Sequence, residues 1–292
     1  MNSLRSELLS YLETLDGNYA LYIKDLKSNS IIKINEEKRF HSASIIKLYY
    51  LYEALMQVQD GVLGLDTAFN LSSDEKVGGA GVLHLLHDNI ELTLEDLLSL
   101  MIDVSDNTAT NMLYDILGKD NINTSIKKLG INNTLAARKL MRVIPGVYSY
   151  TTARDAAIIL ENFMSPRVLR KDLAEKALEI LGKQQFNDGI SKYLTTCGHC
   201  GSLIKSKNIC RECKTNKGEI DPVKVPFYHK TGEITGVTHD AGILIINNNP
   251  IIVVMLINQL KDNLEGKFYM SKVGEIIYNF YSSKEISIKK NM

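Results

Sequence analysis

The sequence predicts a mixed fold of the α/β (α+β) class, in which an antiparallel sheet is flanked by N- and C-terminal helices and interrupted by an all-helical lobe. Three features of the 292-residue chain predict it: strand-like apolar runs near both ends, helical spacing in the middle, and a short cysteine-rich segment before the last strands. We expect a sheet lobe from residues 1–60 and 225–292, a helical lobe from residues 61–189 and an insertion over residues 190–224.

The first elements are a helix, a hairpin and a second helix. Residues 1–12 carry leucines at helical spacing. Two apolar runs, Tyr19–Ile23 and Ile31–Ile34, flank the turn-prone segment Lys27–Ser30 and predict a β-hairpin. Helical spacing returns over Ser44–Val58.

Residues 62–185 are expected to be mostly helical, with Thr93 and Thr152 as N-caps. The predicted helices of this part are Thr93–Ile102, Thr108–Leu117, Thr152–Phe163 and Arg170–Leu181. The later elements are the strands Ala241–Ile246 and Ile251–Ile257, a turn at Asn247–Pro250 between them, and a helix over Gly266–Tyr281.

The composition excludes several classes of partner. Lysine plus arginine and aspartate plus glutamate both number 34, so no net charge favours a nucleic acid or an anionic membrane. The longest apolar run, Ile251–Ile257, is far shorter than the roughly 18–20 residues that a membrane span needs. The first residues lack the continuous apolar stretch of a secretory signal, and we therefore expect a cytoplasmic protein.

The first chemical signal is a serine followed three residues later by a lysine. Ser44 is expected at the start of a helix, where backbone N–H groups and the helix dipole favour a developing oxyanion. Lys47 then lies one turn along on the same face, and a lysine packed among apolar groups loses its charge readily and can act as a base. Alone, such a pair is more often a helix cap and a solvated side chain.

Two further motifs change that interpretation. The sequence Ser-Asp-Asn at Ser105–Asn107 is expected between two helices, where by itself it is an ordinary turn and cap. The sequence Lys-Thr-Gly at Lys230–Gly232 is expected in a strand whose glycine lets another backbone approach closely. Together with Ser44-x-x-Lys47, in this order, they form the set found in class A β-lactamases and penicillin-binding proteins.

On these motifs the chain resembles the class A β-lactamases, and the likeness includes Gly81–Leu86 and Leu92–Leu97. The resemblance implies a class A β-lactamase-like fold and a serine hydrolase that works through an acyl-enzyme. Ser44 would be the acylated nucleophile, Lys47 its proton acceptor, and Ser105 the group that protonates the leaving nitrogen.

The same resemblance implies how the substrate is bound. The substrate-binding residues would be Asn107, Lys230, Thr231, Gly232 and Glu233. Asn107 would orient the catalytic lysine and hold the substrate amide, whereas Lys230 and Thr231 would bind a carboxylate. The backbone N–H groups of Ser44 and Glu233 would form the oxyanion hole. The expected partner is a small acyl substrate that bears a carboxylate.

The chain departs from this family pattern in one place. Class A β-lactamases follow a loop arginine closely with a glutamate that activates the deacylating water, but no carboxylate lies between Arg138 and Asp155. Losing a general base costs on the order of 10²–10⁴ in rate, so we expect fast acylation and slow release. Glu233 as a substitute base, or a working β-lactamase with relocated water activation, are the alternatives.

All four cysteines lie in one short segment and form two Cys-x-x-Cys pairs. The expected metal ligands are Cys197, Cys200, Cys210 and Cys213. A four-cysteine set predicts a structural, non-catalytic zinc ribbon, and no organic cofactor is expected. A redox dithiol pair or two disulfides are the alternatives, which a cytosolic location disfavours. The ribbon is also a possible site for a protein partner or a cover over the cleft.

Two other functions stay open at this point. One is a cytoplasmic peptidase, esterase or amidase that acts on D-amino-acid compounds with a free carboxylate. The other is a non-enzymatic sensor that captures an acyl ligand and binds a partner through the ribbon. Four side chains lie beside the motifs: Asp103 and Asp106 are interpreted as capping and turn residues, and His41 and His239 as scaffold or cleft-lining residues.

Overall fold

A computed structural model describes residues 1–165, 167–204, 210, 212–213 and 221–289. Within these residues the helices are α1 (Asn2–Leu12), α2 (Lys47–Gln59), α3 (Leu94–Asp103), α4 (Asn107–Leu117), α5 (Lys119–Lys128), α6 (Ala153–Phe163), α7 (Lys171–Gly182) and α8 (Asn263–Lys289). The strands are β1 (Asn18–Asp25), β2 (Ile31–Ile34), β3 (Phe40–His41), β4 (Ala68–Asn70), β5 (Glu91–Thr93), β6 (Tyr150–Thr151), β7 (Thr195–Cys197), β8 (Pro222–Lys224), β9 (Phe227–Ile234), β10 (Val237–Ile246) and β11 (Asn249–Asn258).

The expected mixed fold is confirmed, with a central five-stranded sheet in the order β2-β1-β11-β10-β9. Each neighbouring pair is antiparallel, and the N-terminal strands join the C-terminal strands through the pairing of β1 with β11. The predicted hairpin is β1 and β2. The sheet brings β9, which carries the Lys-Thr-Gly motif, to its edge.

Both faces of this sheet are buried, which explains why β11 is continuously apolar from Ile251 to Ile257. Its side chains alternate between two cores, as the period of a strand requires. Ile252, Val254 and Leu256 join the core shared with α2 to α7. Val253 and Met255 join the core beneath α1 and α8.

Two helices, α3 and α6, begin directly after their predicted N-cap residues. Thr93 Oγ1 accepts a hydrogen bond from the Asp96 N–H at 3.1 Å, and Thr152 Oγ1 accepts one from the Asp155 N–H at 3.0 Å. These bonds satisfy the first N–H groups of α3 and α6. α2 packs against α3, α4, α5, α6 and α7 and is buried on nearly all sides.

Three expectations about local structure were wrong. The turn between β10 and β11 is Asn247–Asn248, both at positive φ, because asparagine tolerates this conformation and Pro250 can sit near the start of a strand. Residues 62–93 hold the two-stranded sheet of β4 and β5 rather than mostly helix. Ser44 precedes α2 in a 3₁₀ turn, Ala43–Ile46.

None of the helices in the described residues is long and apolar enough to cross a membrane. The division of the chain into a sheet lobe, a helical lobe and an insertion stays a prediction.

Candidate active site

Ser44 lies in the 3₁₀ turn that leads into α2, against the edge strand β9. Side chains three residues apart eclipse each other in a 3₁₀ turn, so Lys47 still follows Ser44 on the same face. A Cβ added at Gly232 would come within 3.1 Å of the Ser44 backbone nitrogen. The glycine of the Lys-Thr-Gly motif therefore allows β9 to approach the candidate nucleophile.

Lys47 is completely buried at the start of α2. Its Nζ donates hydrogen bonds to the Ser105 carbonyl oxygen at 2.6 Å, to Ser105 Oγ at 2.9 Å and to Asn107 Oδ1 at 3.1 Å. Burial lowers the pKa of Lys47 well below its ordinary value of 10.5, and the charge of Lys230 lowers it further. The side chain is thus fixed in place: burial favours its neutral form, whereas the three donated hydrogen bonds use all the protons of its ammonium form.

Lys230, in β9, is the second fully buried lysine of the site. Its Nζ donates to Ser105 Oγ at 3.1 Å and to the Thr231 carbonyl oxygen at 2.8 Å. Burial lowers its pKa from 10.5 to about 7, although the charges of Asp240 and Asp103 oppose the shift. The amines of both lysines therefore lie at one hydroxyl, and their mutual repulsion disfavours the state in which both are positively charged.

Ser105 occupies a strained backbone position between α3 and α4. Its φ is +57°, a left-handed conformation that residues with a Cβ rarely adopt. The neighbouring Asp106 fixes this junction, because its buried carboxylate accepts hydrogen bonds from the N–H groups of Ala109, Val82 and Leu83. Asp106 is therefore the cap of α4, as expected. Strained residues of this kind cluster at functional sites.

Asn107 joins the junction to the loop on the other side of the cleft. Its Nδ2 donates to the Gly78 carbonyl oxygen at 3.2 Å, and its backbone N–H donates to the Ala80 carbonyl oxygen at 3.0 Å. The same side chain accepts from Lys47, so it holds that lysine and the loop in one arrangement.

Two cavities open on either side of Ser44, and Ser44, Ala80 and Glu233 line both of them. The first cavity has a volume of about 280 Å³ and is lined on its polar side by Ser105 and Thr231. The second has a volume of about 440 Å³. The candidate nucleophile thus lies in the middle of a continuous cleft.

The wall of the larger cavity is formed by the loop that follows Arg138. Leu140, Met141 and Val143 line it, and Arg138 donates to the carbonyl oxygens of three loop residues. Leu140 is held from both sides, since its N–H donates to Asn111 Oδ1 at 2.7 Å and its carbonyl oxygen accepts from Asn111 Nδ2 at 3.0 Å. The only carboxylate among the described residues that line this cavity is that of Glu233.

Sequence reasoning missed an ion-pair cluster that lines the smaller cavity. Lys267, near the start of α8, lies 2.7 Å from Glu233 Oε2 and 2.9 Å from Asp188 Oδ2. Nothing in the sequence distinguishes Lys267 from a surface lysine, and only the fold brings α8 to the cleft. The ion pair therefore engages the Glu233 carboxylate, which lines both cavities.

His239 and Asp155 are held in the scaffold around the site, and His239 also lines the smaller cavity. Burial lowers the pKa of His239 to about 4, and its Nε2 lies 2.8 Å from the His41 carbonyl oxygen. Asp155 accepts hydrogen bonds from the Asn133 N–H and from Thr134 Oγ1, and it does not line either cavity beside Ser44.

The four cysteines come together in one cluster outside the cleft. The sulfur atoms of Cys197, Cys200, Cys210 and Cys213 all lie within 4.8 Å of one another, and this group could hold a metal ion. The pairs Cys197–Cys213 and Cys200–Cys210 have Sγ–Sγ distances of 3.7 and 3.5 Å, which is too long for disulfides. Tyr278 of α8 donates to the Gly201 carbonyl oxygen at 2.7 Å, so the described part of this cluster lies against α8 and does not cover the cleft.

The site combines Ser44 with a strained serine, two buried lysines and an asparagine, and it lies between an antiparallel sheet and a group of helices. Together these features define a serine hydrolase that works through an acyl-enzyme. The sequence profile of the β-lactamase enzyme family matches residues 3–281, and the chain belongs to this family.

Solved structures agree with this assignment. A β-lactamase from Sphaerobacter thermophilus is 26% identical, with a TM-score of 0.80 over 94% of this chain and 95% of that one. PBP-A is 22% identical, with a TM-score of 0.80 over 97% of each chain. An ancestral class A β-lactamase is 18% identical, with a TM-score of 0.79 over 94% of this chain and 99% of that one. The expected class A β-lactamase-like fold is thus confirmed. No curated protein matches the chain significantly.

Proposed function

We propose that Ser44 is acylated by β-lactams, or by related amides and esters that bear a carboxylate, and that the acyl-enzyme is released slowly. The observation that carries this proposal is the buried amine of Lys47, which follows Ser44 by three residues and is hydrogen-bonded to Ser105 and Asn107. Because burial favours its neutral form, this amine is suited to take a proton from a serine hydroxyl.

Acylation then proceeds with each proton accounted for. Ser44 Oγ attacks the substrate carbonyl carbon while its proton moves to Lys47 Nζ. The backbone N–H groups of Ser44 and Glu233 bind the resulting oxyanion. When the carbon–nitrogen bond breaks, a proton passes from Lys47 through Ser105 Oγ, 2.9 Å away, to the leaving nitrogen. The product is an ester on Ser44.

Substrate binding divides between the two cavities. Thr231 lines the smaller cavity and, with the buried Lys230 beside it, would bind the substrate carboxylate, and Asn107 would hold the substrate amide from the side of the larger cavity. The larger cavity, with its apolar wall at Leu140 and Met141, would hold the acyl group.

Slow release follows from the composition of that apolar wall. A water molecule that attacks the ester from the side of Leu140 meets no carboxylate of the loop that could accept its proton. The carboxylate of Glu233 is already engaged by Lys267 at 2.7 Å, so it is not free to turn toward such a water. A leucine-to-glutamate variant of PBP-A has been seen as an acyl-enzyme with penicillin G, which supports this type of intermediate in a protein of the same fold.

The test is the intact mass of the protein after brief incubation with benzylpenicillin, followed over hours. We expect a one-to-one adduct that persists, and no adduct with Ser44→Ala. Exposed Ser283→Ala is the matched control and should react like the wild type. An adduct on Ser44→Ala, or none on the wild type while the penicillin stays intact, would overturn β-lactam recognition. Rapid loss of the adduct with hydrolysed penicillin would instead indicate a working β-lactamase.

A second candidate is a peptidase, esterase or amidase for D-amino-acid compounds with a free carboxylate. The absence of a carboxylate in the described wall at Leu140 favours it, because such a site is not specialised for rapid hydrolysis of an acyl-enzyme formed from a β-lactam. Turnover of a small D-amino-acid ester or peptide, lost in Ser44→Ala, would support this candidate over the first.

We also propose that the four cysteines bind one structural zinc ion. Sulfur ligands about 2.3 Å from zinc in a tetrahedron lie about 3.8 Å apart, close to the measured distances of 3.7 and 3.5 Å. When bound, zinc supplies a cross-link between the two Cys-x-x-Cys pairs. Ligands of this kind must be reduced thiols, which is consistent with the predicted cytoplasmic location.

Metal content measured by mass spectrometry should give one zinc per chain, and a chelator should lower the melting temperature. One tightly bound iron, or no metal at all, would contradict this assignment. If the ribbon also serves a partner, as in a sensor of acyl ligands, removal of residues 195–224 should abolish partner binding while acylation at Ser44 persists.

A further inference from the structure

His41 lies three residues before Ser44 and makes a direct contact with the backbone that leads to it. Its Nδ1 accepts a hydrogen bond from the Ala43 N–H at 3.0 Å. The half-buried imidazole also lines the larger cavity beside Ser44. An imidazole nitrogen that accepts a hydrogen bond carries no proton, so His41 is neutral here, with its proton on Nε2.

Ala43 needs this contact because its backbone is strained. Its φ is +42°, in the left-handed region that glycine adopts readily but that residues with a Cβ, such as alanine, rarely adopt. The Ala43 conformation sets the direction of the next peptide group, which carries the Ser44 N–H. That N–H is one of the two proposed oxyanion donors, so the orientation of Ala43 bears directly on acylation.

The His41 ring is held independently of the bond that it accepts. It stacks on Tyr148 with centroids 5.7 Å apart and an interplanar angle of 13°. Its carbonyl oxygen is bound by His239 Nε2 at 2.8 Å, and the neighbouring Ser42 N–H donates to the Ser149 carbonyl oxygen at 2.9 Å. The acceptor nitrogen is therefore presented to Ala43 by a fixed ring.

We propose that His41 is a positioning residue for the acylation of Ser44: its neutral imidazole holds Ala43 in the left-handed conformation that directs the Ser44 N–H into the cleft, and protonation of the ring releases this hold. The inference rests on the proposed acyl-transfer function and names a residue that makes the oxyanion hole depend on pH. A protonated ring has no lone pair for the Ala43 N–H, and the two groups then repel each other.

The surroundings of the ring set the pH at which this occurs. Arg138 faces it from the cavity wall, His239 from β10 and Tyr148 from the loop before β6. Burial, and then the charge of Arg138, lower the pKa of His41 below its usual value of 6.5. The contact therefore persists at neutral pH and is lost only in acid, separately from the proton uptake by Lys47.

Two substitutions distinguish the effect of the hydrogen-bond acceptor of His41 from the effect of its aromatic ring. His41→Asn keeps an acceptor that can bond the N–H two residues later, the geometry of an Asx turn, but does not titrate. His41→Phe keeps an aromatic ring for Tyr148 but has no acceptor. Exposed His87→Asn is the matched control for loss of a histidine.

The experiment measures the rate of acylation by benzylpenicillin from pH 4 to 8 for these proteins. We expect His41→Phe to be slower on the order of tenfold or more at pH 7, since a buried N–H loses its partner. His41→Asn should stay within about threefold of the wild type and fall less steeply in acid, where only the lysine limb remains. His87→Asn should follow the wild type. Equal loss in the Asn and Phe variants, or identical acid limbs in the wild type and His41→Asn, would overturn the proposal.

Nitrogen NMR of the unliganded protein supplies a readout that does not need activity. Nδ1 of His41 should show the shift of an unprotonated acceptor at pH 7, and the Ala43 amide signal should move with the His41 titration. A proton on Nδ1 at pH 7 refutes the inference even if Ser44 is acylated. If no β-lactam or ester reacts but these NMR signals are found, the proposed function fails and the contact between His41 and Ala43 stands.

Discussion

Replacement of Lys230 by methionine should change how the stability of the protein depends on pH. Burial lowers the pKa of Lys230 from 10.5 to about 7, so the folded chain gives up this proton before the unfolded chain does. Between these two values the unfolded state binds more protons, and the free energy of unfolding must rise with pH. Each pH unit is worth about 1.4 kcal/mol, which gives roughly 5 kcal/mol over the whole interval.

The measurement is equilibrium unfolding in urea at pH 7.5, 8.5 and 9.5. The wild type should gain roughly 2–3 kcal/mol over this range relative to Lys230→Met, in which the titrating group is absent. Lys171→Met is the control, because the side chain of Lys171 is 85% exposed, and it should keep the slope of the wild type. Parallel curves for the wild type and Lys230→Met would refute the reasoning, since they would mean that Lys230 titrates alike in both states.

Three further predictions concern the wall, the motif junction and the metal site. Leu140→Glu should shorten the lifetime of the acyl-enzyme by about 10²-fold or more, because it places a base where the loop has none; an unchanged decay of the adduct mass would contradict this role of the wall. Asp106→Ala should lower the free energy of unfolding by about 3 kcal/mol, since three backbone N–H groups lose their acceptor; an effect below about 1 kcal/mol in urea titrations would contradict it. Cys200→Ser should lower bound zinc below one per chain, with Cys197→Ser as its partner variant; full zinc content in both would exclude these ligands.

The sequence predicted most of the fold because its signals are local. The hairpin of β1 and β2, the caps Thr93 and Thr152 and the strands β10 and β11 each follow from periodicity and turn residues close together in the chain. The predicted turn, Asn247–Pro250, is two residues longer than the observed turn, Asn247–Asn248. Proline favours turns in general, but Pro250 is tolerated near the start of β11.

The motifs predicted the residues around Ser44, but they did not predict the contribution of Lys267 or the role of His41. Short spacing joins Ser44 to Lys47, whereas Lys267 reaches the cleft only because α8 packs against the sheet. The role of His41 depends on one backbone angle, +42° at Ala43, which no pattern of residue types encodes. Strain and long-range ion pairs are properties of the folded chain, so they appear only with its structure.

The two lysines make the charge of the site depend on its substrate. Both donate to Ser105 Oγ, at 2.9 and 3.1 Å, and the charge of Lys230 lowers the pKa of Lys47. A carboxylate bound at Lys230 favours its ammonium form, because an opposite charge nearby raises the pKa of a lysine. That ammonium in turn lowers the pKa of Lys47, which in the proposed mechanism accepts the proton of Ser44. The proposed mechanism therefore couples recognition of the carboxylate to activation of Ser44, and it predicts that a substrate without the carboxylate loses both.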